Sequence, residues 1–185
     1  ITVNLKIQDI DSIDDYKALV AAGGTGAQDY FYDGSYSQSE YSGGGHISSA
    51  ANVQAAAEKF AELAVEALQS GKPVLTQCHG AVLAGYIRAP GTTGQGFDGM
   101  GKSILEGGEA TGFHIGSDTS DAYSDLSVNY RSNRRVVISG PTSSLLSGST
   151  NGRSKVITSR DWYPQTVAAA SKTVLNLLGT YPSSS

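Results

Sequence analysis

Along this chain, stretches where apolar and polar residues alternate every second position give way to stretches of helical period. Thr2-Val3-Asn4-Leu5-Lys6-Ile7 alternates and is predicted as a half-buried or edge strand. Asp9, Asp11, Asp14 and Asp15 follow in a solvated connection that lacks the glycine and distal glutamate of a calcium loop. Tyr16-Lys17-Ala18-Leu19-Val20-Ala21-Ala22 is predicted as a buried strand ending at Gly23-Gly24-Thr25-Gly26. Glycines there let the backbone turn tightly and let other groups reach its amides. A helix is predicted from a Ser48 or Ser49 cap to about Ser70, closed by Gly71. Val53, Ala57, Phe60, Ala64 and Leu68, with Ala61 and Leu63 beside them, form its apolar face; Glu58, Lys59, Glu62 and Gln69 lie opposite. Pro73 through Gln77 is short and apolar, as expected of a central parallel strand covered on both faces. Strand, helix and strand in succession predict a right-handed crossover and hence an α/β sheet.

The pattern after residue 77 is less regular. Short helical and strand pieces are predicted around Lys102–Leu105 and Ala110–His114, and another helix within Asp118–Val128. Arg135-Val136-Val137-Ile138-Ser139 reads as a strand stopped by Gly140-Pro141. Asn151-Gly152 is a turn signal between Leu145-Leu146 and the apolar run Val156-Ile157-Thr158. The last helix spans roughly Pro164 to Leu178, with Val167, Ala170, Val174, Leu175 and Leu178 as its apolar face and Gly179 and Pro182 as stops. One domain over 1–185 accounts for the whole, with a frayed tail at 180–185. Residues 27–49 form a long Gly/Ser/Tyr-rich loop, and loops of that size are usually functional or disordered. Its tyrosines Tyr30, Tyr32, Tyr36 and Tyr41 either line a pocket or simply anchor the loop.

The sharpest chemical signal is Thr76-Gln77-Cys78-His79-Gly80, where the apolar strand ends in the only cysteine. A strand, sharp turn and helix here would place Cys78 at the apex, near the positive end of the helix, a setting that favours the reactive thiolate. Attack by a thiolate needs a base or ion-pair partner and amide donors for the oxyanion that forms. The His79 backbone N–H supplies one donor, and Gly23-Gly24 at the neighbouring strand end is the best source of the other. The competing reading is a buried structural thiol. His79 adjoins Cys78 in sequence, but adjacent side chains at a tight turn need not face each other. His114, after Thr111-Gly112-Phe113, either sits near the turn or merely ends a strand. A metal site from Cys78, His46 and His114 has no diagnostic spacing, so no metal is expected. Asp161-Trp162-Tyr163-Pro164 reads as a packed helix start beside the site.

Charge and composition narrow the partners. A formal net charge of -4 with scattered basic residues argues against nucleic acid and anionic membrane surfaces. No apolar run approaches the roughly 18 residues needed to span a bilayer. A single cysteine excludes an internal disulfide. Abundant Gly, Ser, Thr and Tyr lean toward a secreted or cell-surface setting. The chain starts at Ile1 and holds its one methionine at Met100, so a processed start or a longer product is expected.

Three segments resemble the ThiJ/PfpI superfamily, the glyoxalase III and deglycase-like proteins of the class I glutamine amidotransferase-like fold. Asp15 through Gly26 is similar to that family's strand and oxyanion loop, with Ala22 where proline is usual. Gly71 through Ala81 is similar to its nucleophile elbow, and Lys155 through Asp161 to its closing strand and helix. The resemblance implies a flavodoxin-like three-layer sandwich with a mostly parallel sheet, Cys78 as nucleophile and His79 as adjacent acid/base. It implies the amides of Gly24 and His79 as oxyanion donors and no cofactor; Gly23 and His114 are candidate pocket residues from their places in the chain. The implied activity is cofactor-free conversion of a 2-oxoaldehyde to a hydroxy acid, with amide or peptide hydrolysis as a variant, in a cytoplasmic, stress-related homo-oligomer.

The family also has an amino-terminal βα portion carrying the glutamate that contacts the cysteine, and nothing here precedes Ile1 to provide it. A cleaved amino-terminal fragment or a second chain is therefore expected to supply the missing strands and acid. The alternative is a chaperone-like, redox-sensing or assembly protein on the same scaffold.

Overall fold

Two apolar faces organise the sheet, and each is set by alternate residues of the same two strands. A computed structural model of the protein describes residues 4–24, 27, 50–88, 102–116, 118–141 and 153–179, the side chains of 50–54 and 118 excepted. Within them, β1 (Leu19–Ala21), β2 (Val74–Gln77), β5 (Val136–Ser139) and β6 (Val156–Ser159) form a sheet of order β1-β2-β6-β5. β1, β2 and β6 run parallel, and β5 is antiparallel to β6. Two further short strands, β3 (Glu109–Ala110) and β4 (Asn129–Tyr130), pair in parallel alongside. The protein is thus an α/β domain with a mostly parallel sheet, as the alternation of elements predicts.

Val74 and Val156 are register partners and point to the face covered by α1 (Ala50–Gln69). Phe60, Ala64, Ala67 and Leu68 meet them there in the larger core. The next residues along, Leu75 and Ile157, point to the opposite face, where Ala170 and Val174 of α3 (Pro164–Leu178) close over them. This is the two-residue period of strands sorted between two helices. The helix ends follow local chemistry. Gly71 is left-handed, with the Gly71 and Lys72 amides donating back to Leu68 and Ala67, and Gly179 is left-handed after α3.

Several expectations change. Asn4 to Lys6 are not a strand, and Ile7–Asp9 is a turn of 3-10 helix packed on α1 rather than the end of an alternating strand. Ser12 and the Ile13 amide bond to Glu66 of α1, which draws this segment onto the helix instead of into the sheet. The second predicted strand shortens to Leu19–Ala21, and the piece at Ala110–His114 shortens to Glu109–Ala110. α2 covers Asp118–Asp125 of the predicted helix. The buried face of α3 is Thr166, Ala170 and Val174, whereas Val167 and Leu175 are exposed. The loop at 27–49 (Ala27 excepted), the Ser48 or Ser49 cap, the Asn151-Gly152 turn and the tail lie outside the described residues.

Candidate functional site

β2 ends at Gln77, and the chain turns abruptly into a 3-10 helix, Cys78–Ala84. An α-helix was expected from the apolar period, but all seven residues of this segment are buried, so no polar face fixes the period. Cys78 sits at the turn with φ 56°, a left-handed conformation that costs a non-glycine residue on the order of 1–2 kcal/mol. Three hydrogen bonds hold the turn: Thr76 Oγ1 donates to the Ala81 carbonyl at 3.1 Å, the Tyr123 hydroxyl donates to the same oxygen at 2.9 Å, and the Phe113 amide donates to the Cys78 carbonyl at 3.1 Å.

The loop after β1 crosses this turn closely, and two glycines make that possible. A methyl on Gly23 would lie 2.5 Å from Cys78 Cβ and 3.0 Å from the Gln77 carbonyl oxygen. A methyl on Gly80 would lie 2.7 Å from the Ala22 carbonyl oxygen. The approach brings the Gly24 amide to the Cys78 sulfur, where the His79 amide also donates. Both amides named from sequence as oxyanion donors therefore converge on the sulfur.

Burial works against the expected thiolate. Cys78 is 2% exposed, and burial pushes its thiol above the ordinary value; the two amides pull it back only in part. The nearby Asp161 carboxylate adds to the rise. Asp161 is itself fully buried, and burial alone would raise it. The Thr166 hydroxyl, which approaches without a full hydrogen bond, the Arg160 guanidinium and the Tyr163 amide together outweigh that cost and hold the carboxyl below its ordinary value. Arg160 Nε lies 2.9 Å from Oδ2, and the Tyr163 amide donates to Oδ1 at 3.1 Å. Asp161 reaches Cys78 because Gln77 and Ser159 are register partners, so the ends of β2 and β6 are level. Gln77 Nε2 then donates to the Asp161 carbonyl at 3.3 Å. From the sequence alone Asp161 reads only as part of a helix start.

The aromatic side chains form a row beside the turn. The His79 ring packs against Phe113 at 3.9 Å between centroids, tilted by 34°, and Phe113 lies 6.0 Å from Trp162, nearly parallel at 26°. Tyr163 continues the row 5.4 Å from Trp162. His79 is buried, but its ring faces Phe113, while His114 is exposed with its edge toward Phe113 at 5.9 Å. Trp162 is 55% exposed, so the segment predicted as packed presents a large apolar surface instead. Among the described residues no cluster of His, Cys, Asp and Glu could hold a metal ion, and His46 lies outside them.

No family model matches the sequence, and no curated protein does either. Among solved structures the chain is similar to the Rapid Encystment Protein 24 kDa of Francisella tularensis, at a TM-score of 0.53 and 17% identity. The match covers 93% of this chain and 62% of that one, so this chain spans less than two thirds of that protein's length. At this identity the likeness is one of fold. Among the described residues no helix is long and apolar enough to cross a membrane.

Proposed function

We propose that the protein is of the ThiJ/PfpI type, a flavodoxin-like three-layer sandwich whose Cys78 turn is a nucleophile elbow. It acts as a cysteine-dependent enzyme on small carbonyl compounds, converting a 2-oxoaldehyde to a 2-hydroxy acid without a cofactor. The observation that carries this reading is the left-handed Cys78 with the amides of His79 and Gly24 aimed at its sulfur. Strained backbone of this kind persists where surrounding structure enforces it, and it concentrates at functional sites.

In the proposed reaction the sulfur adds to the aldehyde carbon, the carbonyl oxygen takes up the thiol proton, and a hemithioacetal results. The two amides stabilise the oxygen while it carries charge. Transfer of the C1–H proton to C2, with the C1 hydroxyl proton passing to the C2 oxygen, converts the hemithioacetal to a thioester, and water then releases the hydroxy acid and restores the thiol. The proposal gives these proton transfers to His79, as the acid/base adjacent to Cys78 in sequence. Amide or peptide hydrolysis draws on the same nucleophile and donors. Cys78→Ala is expected to abolish turnover of methylglyoxal with little change in melting temperature; turnover persisting in that variant refutes the assignment.

A second reading is favoured by the raised thiol. A protonated, buried Cys78 is a poor nucleophile and is also slow to oxidise, which argues against redox sensing and leaves a chaperone-like or assembly role. Turnover separates the two: loss of methylglyoxal with appearance of the hydroxy acid supports the enzyme, and no turnover with Cys78 intact and reduced supports assembly.

We further propose that an amino-terminal segment, cleaved or on a second chain, pairs with β1 and brings the acid that the enzyme requires. Val20 of β1 supports a covering helix within that segment: it faces the same side as Leu75 yet is 56% exposed. Mass analysis of the purified protein under native and denaturing conditions tests it. A single 19.2 kDa species under both conditions sinks the proposal.

A further inference from the structure

A cavity of about 280 Å³ opens beside the end of α2, and no residue of the Cys78 site lines it. Its volume is just short of the roughly 300 Å³ at which small-ligand sites begin, so only a compact molecule fits. Arg88, Ser103 and Leu126 are its buried lining, with Arg88 only 4% exposed. Lys102, Asp125 and Ser127 are exposed and Glu106 is half-buried.

Backbone bonds fix these walls. Arg88 and Ser103 pair across an antiparallel bridge, and the Ile104 amide donates to the Ile87 carbonyl at 2.9 Å. Ser127 is left-handed at φ 55°, and its carbonyl accepts the Gly107 amide at 2.8 Å. That bond ties the end of α2 to the segment carrying Ser103.

The charges are sorted by depth. Buried residues offer donors: the Arg88 guanidinium, 5.3 Å over the Tyr86 ring, and the Ser103 hydroxyl. Ser103 Oγ accepts the Leu105 amide at 3.2 Å, and among the described residues its own proton goes to no acceptor. Among the exposed residues, Lys102 and Glu106 pair at 3.2 Å and offset each other. Asp125 has no such counterpart. It is the last residue of α2, at the negative end of the helix, where a carboxylate is disfavoured and a cation is favoured. Among the described residues no cation pairs with it, and the last turn of α2 holds no basic side chain.

We infer that this cavity binds a small amino carboxylate, with its carboxylate on Arg88 and Ser103 and its ammonium on Asp125. Donors at the buried end select the anion, the acid at the open end selects the cation, and the volume limits the length. Burial lowers the Arg88 guanidinium from its ordinary value, and an anion beside it works the other way. The site stands apart from the reading of Cys78.

Calorimetric titration with glycine, β-alanine and γ-aminobutyrate tests it, each against the acid lacking the amine: acetate, propionate and butyrate. At least one amino acid is expected to saturate a single site, about ten-fold tighter than its amine-free partner, the scale of one charged hydrogen bond. Asp125→Asn, at an exposed position, brings that amino acid down to its partner's affinity and leaves the partner's unchanged. Saturation by none of the three, or equal binding in wild type and Asp125→Asn, overturns the inference. Amide chemical shifts locate the ligand: changes are expected at Ser103, Leu105 and Ser127. Changes at Gly24 and His79 instead would place it against Cys78 and also overturn the inference.

Discussion

Cys78 and Asp161 invite comparison because both sit just past the end of a central parallel strand, both are buried, and their acidities move in opposite directions. Burial penalises each charged form. At Asp161 a guanidinium, a hydroxyl and an amide more than offset the penalty, so the carboxylate is the favoured form. At Cys78 two amides offset only part of it, and Asp161 itself works against the thiolate. Backbone amides alone do not stabilise a buried anion as well as a positive charge does. The Asp161 end of the site therefore holds a fixed charge, and the Cys78 end disfavours one.

The change expected to disturb this contrast most is Gly23→Ala. The added methyl would meet Cys78 Cβ at 2.5 Å and a backbone oxygen at 3.0 Å, neither of which can swing away. Overpacking of this kind costs about 1–3 kcal/mol, and the rigid partners place Gly23→Ala at roughly the upper end. The loop must retreat, taking the Gly24 amide from the sulfur, so the thiol rises further and alkylation slows. Urea denaturation and alkylation rate should both change; a shift in one without the other would separate packing from donor geometry.

Asp161→Asn comes next, at about 1–3 kcal/mol, because it leaves the Arg160 guanidinium without its carboxylate while preserving size. Its effect on the sulfur has the opposite sign to that of Gly23→Ala: removal of the negative charge lowers the thiol, and alkylation near neutral pH speeds up. Unchanged reactivity in Asp161→Asn would mean that burial alone sets the thiol.

The contrast also predicts opposite pH limbs of stability. Asp161 is depressed in the folded state, so its contribution is present above the ordinary carboxylate value and is lost as pH falls through the folded one. The Cys78 thiol is raised, so the folded chain keeps a proton that the unfolded chain has released. Stability present below the ordinary thiol value is lost as pH rises toward the folded value. Asp161→Asn should flatten the acid limb and Cys78→Ala the alkaline one. Burial also raises the phenols of Tyr123 and Tyr130, but they remain in both proteins, and the difference between denaturation curves isolates the thiol. An alkaline limb unchanged by Cys78→Ala contradicts the assignment.

The two ends of the site also differ in how far they were legible in the sequence. Cys78, its strand and the Gly23-Gly24 loop could be read because local chemistry dictates them: an apolar run, a sharp turn, and small residues where backbones cross. The limits of α3 were legible for the same reason, with proline at its start and Gly179 at its end. Asp161 was not, because an aspartate before a helix has an ordinary local explanation. Only the register of β2 against β6 carries it to the sulfur. The buried face of α3 was missed in parallel: Thr166 is drawn inward beside Asp161, turning Val167 and Leu175 outward, and no apolar periodicity announces that rotation. The 3-10 geometry after Cys78 was hidden because a segment buried on all sides has no polar face to reveal its period.

The smallest expected effect tests whether the Cys78 conformation depends on support beyond its immediate neighbours. The Tyr123 hydroxyl is fully buried and bonds the Ala81 and Thr111 carbonyls at 2.9 and 3.0 Å, joining the turn to the segment that carries Phe113. Tyr123→Phe removes that link without opening a cavity. Ala81 keeps its bond from Thr76, so the loss is about 1 kcal/mol, the net worth of one neutral hydrogen bond. Alkylation of Cys78 should be unchanged, since the Gly24 and His79 amides are positioned by the Gly23 crossing and the turn itself. A marked change in reactivity, with so small a loss of stability, would show that the left-handed cysteine is held from α2 as well as from β1 and β2.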